Sequence, residues 1–366
     1  MVTIRVPITE QRDASYDILI GRGLLSQLPL LLGQACPAAA YAIITDAHVG
    51  KLYGEAVLAE VAETGCQAEL LTFPAGERSK NRETWAHLCD RMLAHHFGRD
   101  AAIIALGGGV VGDIAGFVSA TYLRGIPLVQ MPTTLLAMID SSIGGKTGVD
   151  VPAGKNLVGA FLQPRLVIAD LNVLVTLAPP QLAAGLAEAI KHGAIADAEY
   201  FTFLEREHET IRAKVPEQLE RLVARSIEIK AQVVSQDERE AGVRAVLNFG
   251  HTIAHAIEAV SKFEVAHGEA VGIGLSLESR LGEALEITRR GTAERIAGLL
   301  RQFGLRTERP DGFTVDALIE VMQQDKKRRK GELRFSFIEK VGVAAGNEHD
   351  GWTMMAPEGV VREVLG

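Results

Sequence analysis

The sequence predicts an α/β chain in two parts: an amino-terminal half built on a mostly parallel sheet, then a mainly α-helical carboxyl-terminal half. Three observations carry this. Up to about residue 176 the apolar residues fall in short runs, several nearly continuous, as expected of parallel strands covered on both faces. Beyond Thr176 they recur at helical spacing. The length, 366 residues, holds roughly two domains of about 150 each. The expected domains are residues 1–176 and 177–366.

In chain order, candidate strands cover residues 2–8, 16–20, 41–45, 68–73, 101–106, 128–131 and 166–169. Leu177-Ala178-Pro179-Pro180 then marks the boundary, because the prolines disfavour helix before them and suit the first helical turn after them. Leu182, Leu186, Ala189 and Ile190 share one helical face, and further helices are expected over 217–236, 250–260, 269–284, 292–302 and 314–324. The alternating segment 333–338 reads as one strand among them. No internal repeat or low-complexity tract is evident.

Composition narrows the functional classes. Hydrophobic residues make up 47% and charged residues 23%, which suits a folded globular chain, and the net charge of −8 gives no general attraction to nucleic acid or an anionic membrane. Anionic small molecules would need a locally positive site. Cys36, Cys66 and Cys89 contain no C-x-x-C pair, against a disulfide framework or cysteine zinc site. The first residues lack a signal-peptide pattern, so a cytoplasmic location is expected. The apolar stretch 101–123 is broken by Asp113 and glycines, and makes a poor membrane span. His95-His96, Trp85, Trp352 and Met354-Met355 are expected at the surface or in packing. The basic run 326–330 is expected to be a solvated loop that lends one cation to a site.

The strand 101–106 runs into Gly107-Gly108-Gly109-Val110-Val111-Gly112-Asp113, a G-x-G-x-x-G between a strand and a helix, where backbone amides can approach a pyrophosphate. The acidic residue that should follow by about 20 positions to bind a ribose is missing. Asp46, ending the strand 41–45, is a substitute at the carboxyl edge of the same sheet. The competing reading is a tight turn that packs strand against helix. A second cluster, 132–148, contains Gly145-Lys146-Thr147, but Asp140 stands where a phosphate loop needs its first glycine, so an ATPase is disfavoured. Lys146, and Lys155 beside Asn156, remain candidate pocket cations and donors.

Glu188, Lys191 and His192 lie at i, i+3 and i+4 in a mostly apolar helix. A buried carboxylate there needs a cation or metal; a helix salt bridge to Lys191 or His192 is the simpler explanation. His251 and His255 stand one turn apart, yet Thr252 replaces the glutamate of a metalloprotease H-E-x-x-H helix. With His267, one glutamate and two histidines from three segments would make a three-ligand site with open positions, suited to Zn²⁺, with Co²⁺ or Fe²⁺ as alternatives.

Taken with the glycine turn, residues 107–124, 132–148, 154–163, 184–193, 230–237, 247–258 and 267–272 closely resemble, in this order, the 3-dehydroquinate synthase family. The resemblance implies a Rossmann-like amino-terminal domain, a helical carboxyl-terminal domain, NAD and Zn²⁺ as cofactors, and a homodimer. By motif match it implies Glu188, His251 and His267 as metal ligands. Asp46, Glu77, Lys80, Gly109, Val110, Val111, Gly112, Asp113, Thr133, Thr134 and Thr176 would face NAD, with Lys146 and Lys155 close to it. Asp140, Lys146, Asn156, Lys191, Lys230, Arg244, Asn248 and His255 would line the substrate pocket, and Arg124 would reach the phosphate in the partner's site. Lys326 or Lys327 matches a further pocket lysine. Met138-Ile139 and Asp150 depart from the family pattern.

The implied reaction takes 3-deoxy-D-arabino-heptulosonate 7-phosphate to 3-dehydroquinate and phosphate by transient oxidation, phosphate elimination, re-reduction and intramolecular aldol closure. The rivals are another sugar-phosphate cyclase, a metal- and NAD-dependent polyol dehydrogenase, and a catalytically silent NAD-binding scaffold.

Overall fold

The computed structural model describes residues 13–326 and 333–366. The strand expected at 2–8 lies outside the described residues. Among the described residues, eight strands form in the first half: β1 (Asp17–Gly21), β2 (Ala40–Asp46), β3 (Gln67–Phe73), β4 (Ala101–Gly107), β5 (Leu128–Pro132), β6 (Lys146–Val151), β7 (Gly154–Phe161) and β8 (Leu166–Asp170). Six of them make one sheet in the order β1-β8-β5-β4-β2-β3, every pair parallel. Leaving aside the added edge strand β1, this is the doubly wound 2-1-3-4-5 order.

Alternation along the central strands fills both faces. Ile103 and Ala105 of β4 join Leu88, Met92, Val111, Ile114 and Phe117 on one side. Ala102, Ile104 and Leu106 join Leu28, Leu32, Val57 and Val61 on the other. That is why β4 reads as an unbroken apolar run, while the edge strands β1 and β3 carry exposed positions. The chain leaves β2 for β3 on one side and returns to β4 on the other, so the carboxyl ends of β2 and β4, at Asp46 and Gly107, flank the switch-point crevice where ligands bind in such sheets.

β6 and β7 form an antiparallel hairpin where the sequence reading placed no strand. Gly148 pairs with Gly159, and a Cβ on Gly159 would sit 2.0 Å from the Thr147 carbonyl oxygen. These glycines permit close strand approach.

The second half starts with the helix Pro179–Ala196 on its two prolines, followed by Ala198–Arg206, Pro216–Gln236, His251–Val260, His267–Ala284, Thr292–Gln302, Val315–Lys326 and Glu358–Leu365. One continuous core joins these helices to the end of β8 through Ala169, Leu171 and Leu174. The single strand expected at 333–338 is two: Arg334–Phe335 pairs with Met354–Met355, and Ile338–Lys340 with Val343–Ala344. No helix among the described residues is long and apolar enough to cross a membrane.

Candidate metal centre and cation-bearing cleft

Three helices meet because their backbones can touch. A Cβ on Gly268 would lie 2.1 Å from Ala184 Cα, so His267, at the start of its helix, is brought beside the turn that carries Glu188. A Cβ on Gly274 would lie 1.9 Å from the Gly250 carbonyl, which locks the His251 helix against the same neighbour. The fully buried Glu278 completes the arrangement. Its carboxylate accepts the amides of Gly250 at 2.7 Å and Ile253 at 2.9 Å, capping the helix at the residue before His251.

The donor atoms of Glu188, His251 and His267 lie within 4.8 Å of one another. His251 Nε2 is 3.4 Å and His267 Nε2 3.5 Å from Glu188 Oε1, while Lys191 pairs with Oε2. The salt bridge and the histidine cluster are therefore both present. Glu188 is fully buried, yet neither of its oxygens is met by a donor in hydrogen-bonding geometry among the described residues. A carboxylate and two imidazoles converging on one point, with Glu188 Oε1 facing both rings outside hydrogen-bonding geometry, fit a divalent ion of the zinc type.

Burial opposes ionisation of Glu188, but Lys191 and His251 outweigh it and hold the carboxyl well below its usual range. Burial likewise opposes protonation of His267, whose ring spans Glu188 and Glu258; these carboxylates push it up to about 10. His251 Nδ1 lies 3.2 Å from the Phe249 carbonyl, which orients the ring. His255 stands edge-on to His251, ring centres 5.5 Å apart.

A second group adjoins the first. Asp140, Glu188 and the fully buried His192 also offer donor atoms within 4.8 Å. Lys230 donates to the Asp140 carboxylate at 2.6 Å and to its carbonyl at 2.5 Å. Burial would raise the Asp140 carboxyl, but Lys230 overrides it and holds the group low. Burial and the Lys191 cation push His192 down to about 3, so its ring is neutral near pH 7.

Around the rim, Glu240 pairs with Lys146 and accepts from Asn248 at 2.6 Å, tying two predicted substrate residues together. Arg244 is buried, with both terminal nitrogens directed at the Gly144 carbonyl at 3.2–3.3 Å and one also at Glu238. In this arrangement its donors are committed to backbone oxygens, because the φ +91° turn at Gly144 carries that carbonyl into the cleft wall.

At the sheet edge, Lys80 bridges Asp113 at 2.5 Å and Asn156 Oδ1 at 2.5 Å. Burial alone would lower the Lys80 pKa; Asp113 and Glu77 raise it. Asp46 caps the following turn by accepting from His48 and Val49. Thr133 is buried, with its amide on the Gly107 carbonyl, and Thr134 caps the next segment through Ala137. Thr176 meets the Tyr53 hydroxyl at 2.7 Å. Lys155 reaches Glu258 at 3.1 Å and Glu77 at 3.5 Å, and lies over the Phe263 ring.

In the glycine turn, Val111 buries its side chain fully in the core, leaving only its backbone for a ligand. A Cβ on Gly112 would lie 3.0 Å from Gln130, and one on Gly109 3.1 Å from Ser141, so the turn also serves packing. Met138 and Ile139, odd by family pattern, are fully buried core residues. Asp150 accepts the Asn156 amide, holding the hairpin that presents Asn156.

Arg124 is not brought to this cleft. It follows the helix Gly109–Thr121, whose amino end lies at the sheet's carboxyl edge, so the exposed Arg124 sits about 20 Å further along. The Lys326 side chain and Lys327 lie outside the described residues. Sequence reasoning missed Tyr53, Glu240, Glu258 and Glu278. Glu258 and Glu278 carried the signal that marked Glu188, a lone carboxylate in an apolar helix; Tyr53 and Glu240 carried none.

A doubly wound sheet whose open edge faces a helical half with a carboxylate–imidazole cluster defines a two-part enzyme of the metal- and dinucleotide-dependent type. The family models for 3-dehydroquinate synthase match residues 70–184 (N-terminal) and 185–328 (C-terminal). The chain belongs to the 3-dehydroquinate synthase family. It is 46% identical to the 3-dehydroquinate synthase of Symbiobacterium thermophilum over 328 residues, covering 89% of this chain and 92% of the relative. With that of Nostoc punctiforme it shares 41% identity, covering 99% and 98%.

Among solved structures, a 2-deoxy-scyllo-inosose synthase complexed with carbaglucose-6-phosphate, NAD⁺ and Co²⁺ matches with a TM-score of 0.88 at 27% identity, covering 96% of each chain. A 2-epi-5-epi-valiolone synthase from Streptomyces hygroscopicus with NAD⁺ and Zn²⁺ bound matches with 0.88 at 28%, covering 98% of each. An iron-containing alcohol dehydrogenase, TM-score 0.66 at 14% identity over 95% of this chain and 96% of its own, shares the fold alone.

Proposed function

We infer that this protein converts 3-deoxy-D-arabino-heptulosonate 7-phosphate to 3-dehydroquinate and phosphate, with NAD⁺ and a divalent metal, in the cytoplasm and as a homodimer. The observation that carries the reading is the convergence of Glu188, His251 and His267 beside Lys191, Lys230 and Asp140, in a chain of this family. When bound, the metal would polarise substrate hydroxyls and the nicotinamide would take and return a hydride.

Glu188, His251 and His267 would hold the metal. Asp46, the Gly109–Asp113 amides, Thr133, Thr134 and Thr176 would receive the dinucleotide at the switch-point crevice, and Glu77, Lys80 and Lys155 would line its wall. Lys146, Lys191, Lys230 and Arg244 supply the cations that a doubly anionic substrate needs in an acidic protein, and Asn156, Asn248 and His255 add hydrogen bonds. Burial lowers the Lys230 pKa, and the Asp140 carboxylate beside it opposes that shift. Glu240 holds Lys146 and Asn248 in register, an ion pair and hydrogen bond that an incoming anion would exchange for its own. Arg124 would act on the phosphate of the partner's site.

The experiment is phosphate release from the heptulosonate phosphate, with and without a chelator, while reduced-nicotinamide absorbance is followed. Chelator-sensitive release with no accumulation of NADH is expected. Stoichiometric NADH would indicate a polyol dehydrogenase, and turnover of a hexose phosphate in place of the heptulosonate would indicate another cyclase.

A further inference from the structure

A cavity of about 310 Å³ opens on the helical half where the turn before the helix Thr292–Gln302 meets the strand Ile338–Lys340. Its wall carries four cations, Arg289, Arg290, Arg295 and Lys340, and the Thr292 side chain. Arg295 is held by Glu205 at 2.7 Å and stacks on Phe201. Arg289, Arg290 and Lys340 meet no carboxylate within ion-pair distance among the described residues. In a chain of net charge −8, three unpaired cations beside a fourth are a concentrated exception.

Two further facts mark this as a built site. The turn is pinned, with the Arg289 amide on the Glu339 carbonyl at 2.7 Å and the Thr288 hydroxyl on the Ile338 carbonyl at 2.6 Å. Thr292 is only 6% exposed and lines the cavity, yet its hydroxyl has no hydrogen-bond partner among the described residues. The helix terminus is not the source of attraction, because the Glu283 carboxylate already takes the Ala293 amide at 2.8 Å. What remains unserved is two exposed guanidinium groups, an ammonium group and the Thr292 hydroxyl.

We propose that this cavity is a second anion site, which binds a phosphate group as the free ion or as a small phosphomonoester, apart from the cleft at Glu188. Guanidinium forks match phosphate oxygens in pairs, the lysine adds a point charge, and a bound dianion relieves the mutual repulsion of the three unpaired cations. The volume is at the small end of ligand pockets, which suits a phosphate with a short organic stem.

The test is equilibrium dialysis of the full-length protein, at fixed ionic strength, against orthophosphate and separately against glycerol 3-phosphate. The cleft itself takes up phosphate, so the readout is the difference between wild type and Arg289→Glu/Arg290→Glu. The variant should lose one of two sites per chain, or bind there at least tenfold more weakly, with unchanged turnover in phosphate-free buffer. Thr292→Val, close in shape, should weaken the same site several-fold at unchanged melting temperature. A site sensitive to these changes for either probe supports the proposal and tells free ion from ester. Identical binding by wild type and both variants, for both probes, overturns it.

Discussion

At the scale of single residues, Glu188 shows how one buried charge organises its surroundings. It is fully buried, with Lys191 on one oxygen and two imidazoles near the other. Taking a carboxylate out of water costs several kcal/mol unless cations answer it, so each neighbour depends on its charge. Glu188→Gln keeps the shape and removes the charge. We expect it to lose bound metal and turnover together, read by metal analysis of the purified protein and by phosphate release; full turnover without metal would reject this role. His192 offers a milder case: its buried ring is neutral, so His192→Phe should spare metal content, whereas loss of metal in that variant would place the ring in the coordination shell.

Elements meet here through glycine. Gly268→Ala would force a methyl group into the Ala184 backbone, and Gly274→Ala into the Gly250 carbonyl. Neither neighbour is the end of a flexible side chain, so the helices must separate. Overpacking of this kind costs about 1–3 kcal/mol. Both variants should melt earlier and bind metal more weakly, since His267 and His251 move with their helices; unchanged metal affinity would show that helix contact does not set the site.

Asp197 gives a separate prediction for an element end. It caps the helix Ala198–Arg206 through the Tyr200 amide at 2.9 Å and pairs with Arg225 at 2.6 Å. Burial opposes its ionisation, but the cap and Arg225 prevail and lower its pKa. A depressed folded-state pKa contributes stability that is complete above the unfolded value, near 3.9, and is lost as pH falls through the folded one. Asp197→Ala should therefore cost about 1 kcal/mol at pH 7 in denaturant titrations, with the gap to wild type shrinking below about pH 4.

For the whole molecule, the cleft is made by two halves that share one apolar core and are tied at the rim by polar contacts. Lys155 of the hairpin reaches Glu258 of the helical half, Lys146 reaches Glu240, and Gln163 reaches Glu238 at 2.9 Å. Arg124 lies away from this seam, which suits action on a second copy. Mixing inactive Arg124→Ala and Glu188→Gln chains would then create one intact site in each mixed dimer, and random exchange should restore about a quarter of wild-type activity. No recovery after subunit exchange would confine Arg124 to its own chain.

Much of this was legible in the chain itself. The strands β2, β4, β5 and β8 announce themselves as apolar runs because both sheet faces are covered, and the helices at 292–302 and 217–236 follow from their periodicity. The hairpin β6–β7 was hidden because glycines such as Gly148 and Gly159 weaken a strand pattern in sequence, although here they permit the strand contact. Glu240 was hidden because an acid in a polar loop gives no hint of what it will meet.

The sequence by itself determined the two-part architecture, the acidic overall balance, and which side chains had the chemistry to hold a metal or an anion. Periodicity and composition are local properties, and they survive in a string of letters. Only the tertiary structure decided that residues 188, 251 and 267 share one point, that Glu278 sets the helix bearing one of them, and that Arg124 stands apart. Those outcomes depend on which backbones can approach within contact distance, and that is set by the packed positions of Gly250, Gly268 and Gly274 against partners far away along the chain.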